Sequence, residues 1–315
     1  MNGSMNEPSY NYFFYGYHLR SAIPLSSLPA WPVPAPEAEP EITLNLGKTP
    51  SSLDDLLWSS PFIQIARDKS ALVRVAAVAS FYLPNGREII VQPAPGVHPS
   101  EIEAIFLSTV AGVVLHQRNL LPFHASCVLL NGRAGGRAIA ITGLAAQGKS
   151  ALAVALVQRG ATLLADDLCV VNSANKSMHA IGGCHHARLW PDVMDHLKIP
   201  NEQRLATRPH HGKHAVALAS SKLGSYPLTH LIRFGTTSNT TPELVPLHGP
   251  GSVLPARNLI FQRDIGHLLG NASLEFRTLT ALAHHVRVRS LSRTQLLKHL
   301  DQCADLILAA IEGGA

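Results

Sequence analysis

Before Pro99 the chain reads mostly as short segments in which apolar and polar residues alternate. Residues 42–46 alternate over a full strand length. Residues 71–82 predict another strand. Asn85-Gly86 then supplies a hairpin turn signal before a returning strand at 88–91. The first twenty residues, rich in tyrosine and phenylalanine, suit a further strand. The proline-dense stretch 23–40 should be extended without regular structure. Pro99-Ser100-Glu101 marks a helix start with Ser100 as the cap, and the apolar run 102–115 continues it.

Beyond residue 120 the apolar runs lengthen. Residues 123–130 predict a strand, Asn131-Gly132 a turn, and 138–142 the strand's partner, bounded by glycines as a buried strand should be. Residues 149–159 read as a helix. Ala151, Leu152, Val154, Ala155 and Leu156 form its apolar face, and Gly160 stands at the left-handed C-terminal position. A strand from 162–164 ends at Asp166-Asp167, and 168–171 continues as strand. Residues 228–234 and 286–291 predict two more, while 181–189 has no clear assignment. The stretch 292–311 predicts a final helix, capped by Ser292, with Leu296, Leu297, Leu300, Ala304, Leu306 and Ile307 on one side. The pattern divides the chain into a β-rich α+β domain over 1–118 and an α/β domain over 119–315, a mixed β-sheet with flanking helices. No internal repeat is visible.

Composition narrows the function. The formal charge of +5 suits an anionic ligand such as a nucleotide. No run of five or more Lys/Arg appears, so a nucleic-acid partner is not expected. No apolar run reaches a membrane span, and the polar, aromatic start has no signal-peptide core, so a cytoplasmic location is expected. Cys127, Cys169, Cys184 and Cys303 lack paired spacing and read as reduced, buried thiols. The pairs His185-His186, His210-His211 and His284-His285 point apart on any regular element, which argues against a metal site made from them.

The chemistry gathers at 143–150, GLAAQGKS, which fits the phosphate-binding loop pattern. The sequence places a strand before it and a helix after it, as that pattern requires. Gly143, Ala146, Gln147, Gly148, Lys149, Ser150 and Ala151 are the candidate nucleotide-binding residues. Their backbone N–H groups turn toward phosphate oxygens, Lys149 supplies a mobile cation, and Ser150 offers a hydroxyl to Mg²⁺. Asp166 and Asp167 follow after one helix and one strand, a distance that returns them to the loop at the carboxyl edge of the sheet. One can accept a proton from an attacking hydroxyl while the other holds Mg²⁺. His124, on the preceding strand, is either a third member of this group or a hydrogen-bonded core histidine.

Four pieces together resemble the catalytic domain of the HPr kinase/phosphorylase family: FHAS at 123–126, ITGLAAQGKS at 141–150, QRG at 158–160 and LADD at 164–167. The resemblance implies a P-loop kinase fold of HPr-kinase type and an ATP- and Mg²⁺-dependent serine kinase. It implies Asp166 as the base, Asp167 and Ser150 as metal ligands, His124 beside the transferred phosphate, and Lys149 as the cation that neutralises developing charge.

The chain departs from the HPr enzymes in two places. Apolar Leu144, Ala145 and Ala146 follow the first glycine of the loop. The later Glu-Ile-Arg-Gly-type signature is absent, and CHHARLWPD stands near its place at 184–192. Its RLWPD piece, with YGYHLRS at 15–21, resembles kinases that phosphorylate the C-terminal serine of lasso-peptide precursors. That branch implies a peptide or small-protein acceptor and leaves a homo-oligomer open. A kinase of an HPr-like carrier and a nucleotide-binding regulatory protein without transferase activity are the rival readings. Arg188, Lys213 and Arg263 are weaker candidates for meeting a substrate carboxylate or phosphate. Trp190 could line a peptide groove, though core packing is the expected role.

Overall fold

A computed structural model describes residues 9–32, 39–131, 136–174, 177–183, 186–205, 212–218, 222–235, 241–248, 257–293 and 296–312. It is an α/β protein, and the chain forms two compact units. The first comprises residues 1–120 with 262–272, and the second 121–261 with 273–315.

The first unit is built on an eight-stranded sheet of order β1-β2-β3-β8-β7-β6-β5-β4. The aromatic start forms a hairpin, β1 (Tyr10–Phe14) and β2 (Tyr17–Ser21), turning through Tyr15 and Gly16 at positive φ. β3 (Ile42–Leu46) follows the alternation closely: Ile42 and Leu44 are buried, while Asn45 is exposed. β4 (Leu56–Ser59) and β5 (Ile63–Ala66) were not signalled by the sequence. The run expected as one strand at 71–82 is two, β6 (Ala71–Val75) and β7 (Ala79–Leu83). The Val78 N–H reaches back to the Val75 carbonyl at 2.8 Å, closing a turn that contains neither glycine nor proline. Asn85 behaves as expected before β8 (Glu88–Pro93): its side-chain oxygen accepts from the N–H groups of Arg87 and Glu88.

The helix after Pro99 is α1 (Pro99–Ile105), a π-turn over Phe106–Val110, and α2 (Ala111–Gln117). Its cap is His98, not Ser100. The His98 ring accepts from the Ser100 N–H, and the Glu101 carboxylate accepts from the His98 N–H. Imidazole replaces the usual hydroxyl, which is why the sequence pattern pointed two residues too late. A short helix, α5 (Arg263–Leu268), also belongs to this unit.

The second unit has strand order β10-β9-β12-β13-β16-β18-β17, with β11 also on β9 and β10 also on β16. Its strands are β9 (Leu121–Leu130), β10 (Arg137–Thr142), β11 (Thr162–Ala165), β12 (Leu168–Ala174), β13 (Ser177–Gly182), β16 (Gly224–Gly235), β17 (Glu243–Pro246) and β18 (Arg287–Ser292). A separate hairpin pairs β14 (His186–Leu189) with β15 (His214–Ala217). The expected turn at Asn131-Gly132 runs into residues outside the described set, as do Cys184, His185, His210 and His211.

β10 is buried on both faces, so its period of two sorts residues between two cores. Ile139 and Ile141 join the core containing α3 (Lys149–Val157) and α7 (Leu296–Glu312). Ala138 and Ala140 join the core on the opposite face, with Phe123, Ala125 and Cys127 of β9. α3 ends as expected, with Gly160 at φ +95°. Ser292 lies in β18 rather than capping the last helix, since the pairing with β17 extends through it. Three described α-helices escaped the sequence reading, α4 (Pro191–His196), α5 and α6 (Ala272–His285), the last ending in the His284-His285 pair. No described helix is long and apolar enough to cross a membrane.

His230 sits inside this sheet on β16, 2% exposed, bonded through Nδ1 to the Thr229 hydroxyl. Burial, helped by the charges of Arg287, Arg289 and Arg137, lowers its pKa to about 4. The unfolded chain holds that proton at an ordinary pKa of about 6.5. The neutral ring's stability is therefore present above about pH 6.5 and lost as pH falls toward 4, up to about 3 kcal/mol. Urea unfolding at pH 7 and pH 4.5 should show wild type losing more stability than His230→Gln by about that amount. Equal losses in the two proteins would contradict it.

Candidate active site

Strand register builds the site. The outer edge of β9 pairs with β11 through residues 127–129 and with β12 through 121–124. Ala165 lies against Cys127 and Leu168 against His124 in one register, and the chain leaves the ladder between them, at Asp166 and Asp167. Asp167 makes that exit at φ +63°. On the other edge, β10 pairs Ile141 with Ser126 and Thr142 with Ala125. One step further along this register, Gly143 comes opposite His124. The phosphate loop, the histidine and the aspartate pair thus meet at one end of β9.

The loop is braced from within and from behind. The Gln147 side-chain oxygen accepts from the Leu144 N–H at 2.7 Å. A Cβ on Gly143 would fall 2.4 Å from that oxygen and 3.0 Å from Phe234 Cδ2, so close packing, not backbone twist, demands this glycine. Gly148, the residue before α3, is the one that needs positive φ, at +87°. Ala146 also takes positive φ, +62°. Behind the loop, the Arg293 guanidinium donates to the Gln147 carbonyl and lies 4.4 Å over the Phe234 ring.

Lys149 is buried and folded back over the loop. Its Nζ donates to the carbonyls of Gly143 and Leu144, both at 3.1 Å, and stands 3.0 Å from His124 Nε2. An ammonium has only donors, so the His124 nitrogen facing it is the acceptor of a neutral ring. Burial, then the Lys149 charge, lowers the His124 pKa, while Asp167 opposes them. Burial also lowers that of Lys149, against the pull of Asp167 and Asp166.

Asp166 is held at two points. Its Oδ1 accepts from Ser126 Oγ at 2.6 Å and its Oδ2 from the Arg188 N–H at 3.0 Å. Burial, then the neighbouring Asp167 charge, still raises its pKa above the usual carboxylate range. A positioned carboxylate with a raised pKa suits proton transfer.

These groups open on a cleft of about 410 Å³ in the second unit. Of the expected nucleotide-binding residues, Ala146, Gly148, Lys149, Ser150 and Ala151 line it, as do His124 and Asp167. Gly143 is buried beneath the loop and Gln147 braces it. Arg188 and Lys213 line the cleft, whereas Arg263 lies on α5 in the first unit. Trp190, expected in the core, is 41% exposed and lines the cleft, its ring laid over Gly212. Sequence reasoning missed three contributors. Ser126 was quoted only as part of a motif, and its period-two position opposite the expected turn was the available signal. Arg293 and Phe234 had none, because they reach the loop from strands far along the chain.

The oxygen donors here fit Mg²⁺. A hydroxyl and one or two carboxylates, completed by substrate phosphates and water, are the usual set for that ion. Among the described residues no cluster of three or more His, Cys, Asp or Glu offers an all-protein metal cage.

No family model matches the chain, and no curated protein matches it. Among solved structures, an Hpr(Ser) kinase/phosphatase from Coxiella burnetii is similar over 61% of this chain and 93% of that one, at 14% identity and a TM-score of 0.30.

Gly148→Ala should strain the loop by roughly 1–2 kcal/mol, because its φ lies where a Cβ is disfavoured. Urea unfolding should show the variant less stable by about that amount. Undiminished stability would mean that the loop does not need this conformation.

Proposed function

We propose that the protein is an ATP- and Mg²⁺-dependent kinase that transfers the γ-phosphoryl group to a serine hydroxyl of a peptide. The supporting observation is the convergence of Lys149, His124, Ser150 and Asp167 on one cleft at the phosphate loop, with Asp166 next to Asp167 in the chain and bonded to Ser126 and the Arg188 N–H. The motif resemblance supplies the reaction. Its RLWPD piece supplies the acceptor class, a ribosomal precursor peptide of lasso type ending in serine.

Phosphoryl transfer needs little covalent help from a protein, so the residues act by position and charge. N–H groups at the start of α3 cradle the phosphates, and Lys149 leaves its own loop carbonyls to meet the γ-phosphoryl oxygens. Mg²⁺, held by Ser150 and Asp167, neutralises charge on the β and γ phosphates when bound. Asp166 takes the acceptor proton. Ser126 and the Arg188 N–H fix its carboxylate, leaving unused lone pairs for that proton. The neutral His124 ring faces the same space.

One observation favours a second division of labour. Asp167 lines the cleft, whereas the Asp166 carboxylate is turned to Ser126 and the Arg188 N–H. In that reading Asp167 is the base.

Mass spectrometry of a precursor peptide incubated with ATP and Mg²⁺ tests the whole reading. Wild type should add one phosphate to a serine, and Lys149→Ala should add none. Asp166→Asn should bind ATP yet lose transfer by at least about a thousandfold, the scale of a general base together with its positioning. Asp167→Asn should instead raise the Mg²⁺ concentration required. The opposite pattern would exchange the two roles. ATP binding without transfer to any peptide would favour a nucleotide-binding regulatory protein.

A further inference from the structure

Arg293 lies outside every motif in the chain, at the end of β18, yet it touches the phosphate loop. Its guanidinium donates to the carbonyl oxygen of Gln147, and its flat face lies on the Phe234 ring. Phe234 also presses against Gly143, where an added Cβ would meet its Cδ2 at 3.0 Å and its Cβ at 3.2 Å. Both ends of the loop are therefore fastened to one aromatic–guanidinium pair. Gln147 is caught by its carbonyl, and Gly143 is trapped against the ring.

The peptide plane turns this fastening into a directional effect. In a trans peptide the carbonyl oxygen of one residue and the N–H of the next point to opposite sides. Pulling the Gln147 oxygen back toward Arg293 aims the Gly148 N–H the other way. Gly148 lines the cleft, and an N–H at this position in a phosphate loop is a donor for phosphate oxygens. Such a donor, fixed before the ligand arrives, has no reorientation left to undergo. A guanidinium suits the task because it can stack and donate at once, which an ammonium does less well.

We infer that Arg293 is a positioning residue that, with Phe234, pre-orients the Gly148 N–H toward bound phosphate. This rests on the reading of the cleft as a nucleoside triphosphate site. The role is distinct from that of Lys149, which meets phosphate directly.

The test measures binding of ATP and of inorganic tripolyphosphate by calorimetry, with KM, kcat and melting temperature, for wild type, Arg293→Ala, Arg293→Lys, Phe234→Leu and the Ala/Leu double variant. Arg293→Ala should weaken both ligands about tenfold and raise KM for ATP by a similar factor, with kcat changed less. Arg293→Lys, which keeps a donor, should recover part of the loss. Phe234→Leu should weaken both ligands about threefold, and the double variant should bind no worse than Arg293→Ala, because the two side chains act as one unit. Arg293→Ala with wild-type affinity for both ligands would overturn the inference. So would a lowered melting temperature with KM unchanged, since that is the mark of a residue that only supports the fold. A wild-type chain that bound neither tripolyphosphate nor ATP would remove the nucleotide reading itself, and this inference with it.

Discussion

The site depends on one constraint: two consecutive strands, β11 and β12, use the same edge of β9. The two pairings share one register, so the break between them is local: Asp167 takes φ +63° and the Leu168 N–H donates to the Asp166 carbonyl at 2.8 Å. Residues at a break have no ladder partners, so their polar groups must be satisfied by other means. Ser126, on the strand they leave, and the Arg188 N–H, on the hairpin beyond, satisfy Asp166. Because β10 pairs with the opposite edge of β9, the phosphate loop leaves the sheet at the same level. A shift of one residue in either pairing would turn these side chains to the other face of the sheet.

Electrostatics then bind the parts to one another. Two carboxylates, an ammonium and an imidazole share a confined space with Arg188 and Lys213 on its wall. Desolvation lowers the pKa of His124 and Lys149 and raises that of Asp166; Asp167 opposes the shift of the first two, and hydrogen bonds oppose that of Asp166. Asp166 shows the balance most clearly. Burial and Asp167 raise its pKa, while the hydrogen bonds from Ser126 and the Arg188 N–H oppose the shift.

What the sequence revealed follows from the range of the interactions involved. Strand β10, the loop, α3 and Gly160 were legible because each rests on neighbours in the chain: an apolar run, glycines at fixed offsets, a helix face. The aspartate pair could be placed near the loop by counting one helix and one strand. Ser126, Phe234 and Arg293 could not be assigned roles, since their positions depend on pairings across many residues. Local chemistry misled at His98, where an imidazole caps in place of a hydroxyl, and at residues 76–78, where a turn forms without glycine or proline. The edge strand β4 was missed because Leu56, Leu57 and Trp58 are all exposed, giving no alternation to detect. Trp190 was assigned to the core on residue type alone, whereas Gly212 gives its ring a backbone shelf at the surface.

Lys149 bonded to the carbonyls of Gly143 and Leu144 has a thermodynamic consequence. Two backbone oxygens already surround its buried ammonium, so the cation is solvated by the protein itself. Under the kinase reading proposed above, an anion that met Lys149 would exchange its own oxygens for those carbonyls. Its affinity would then be a difference between two ion–oxygen sets, and an anion with little charge per oxygen would gain little by the exchange.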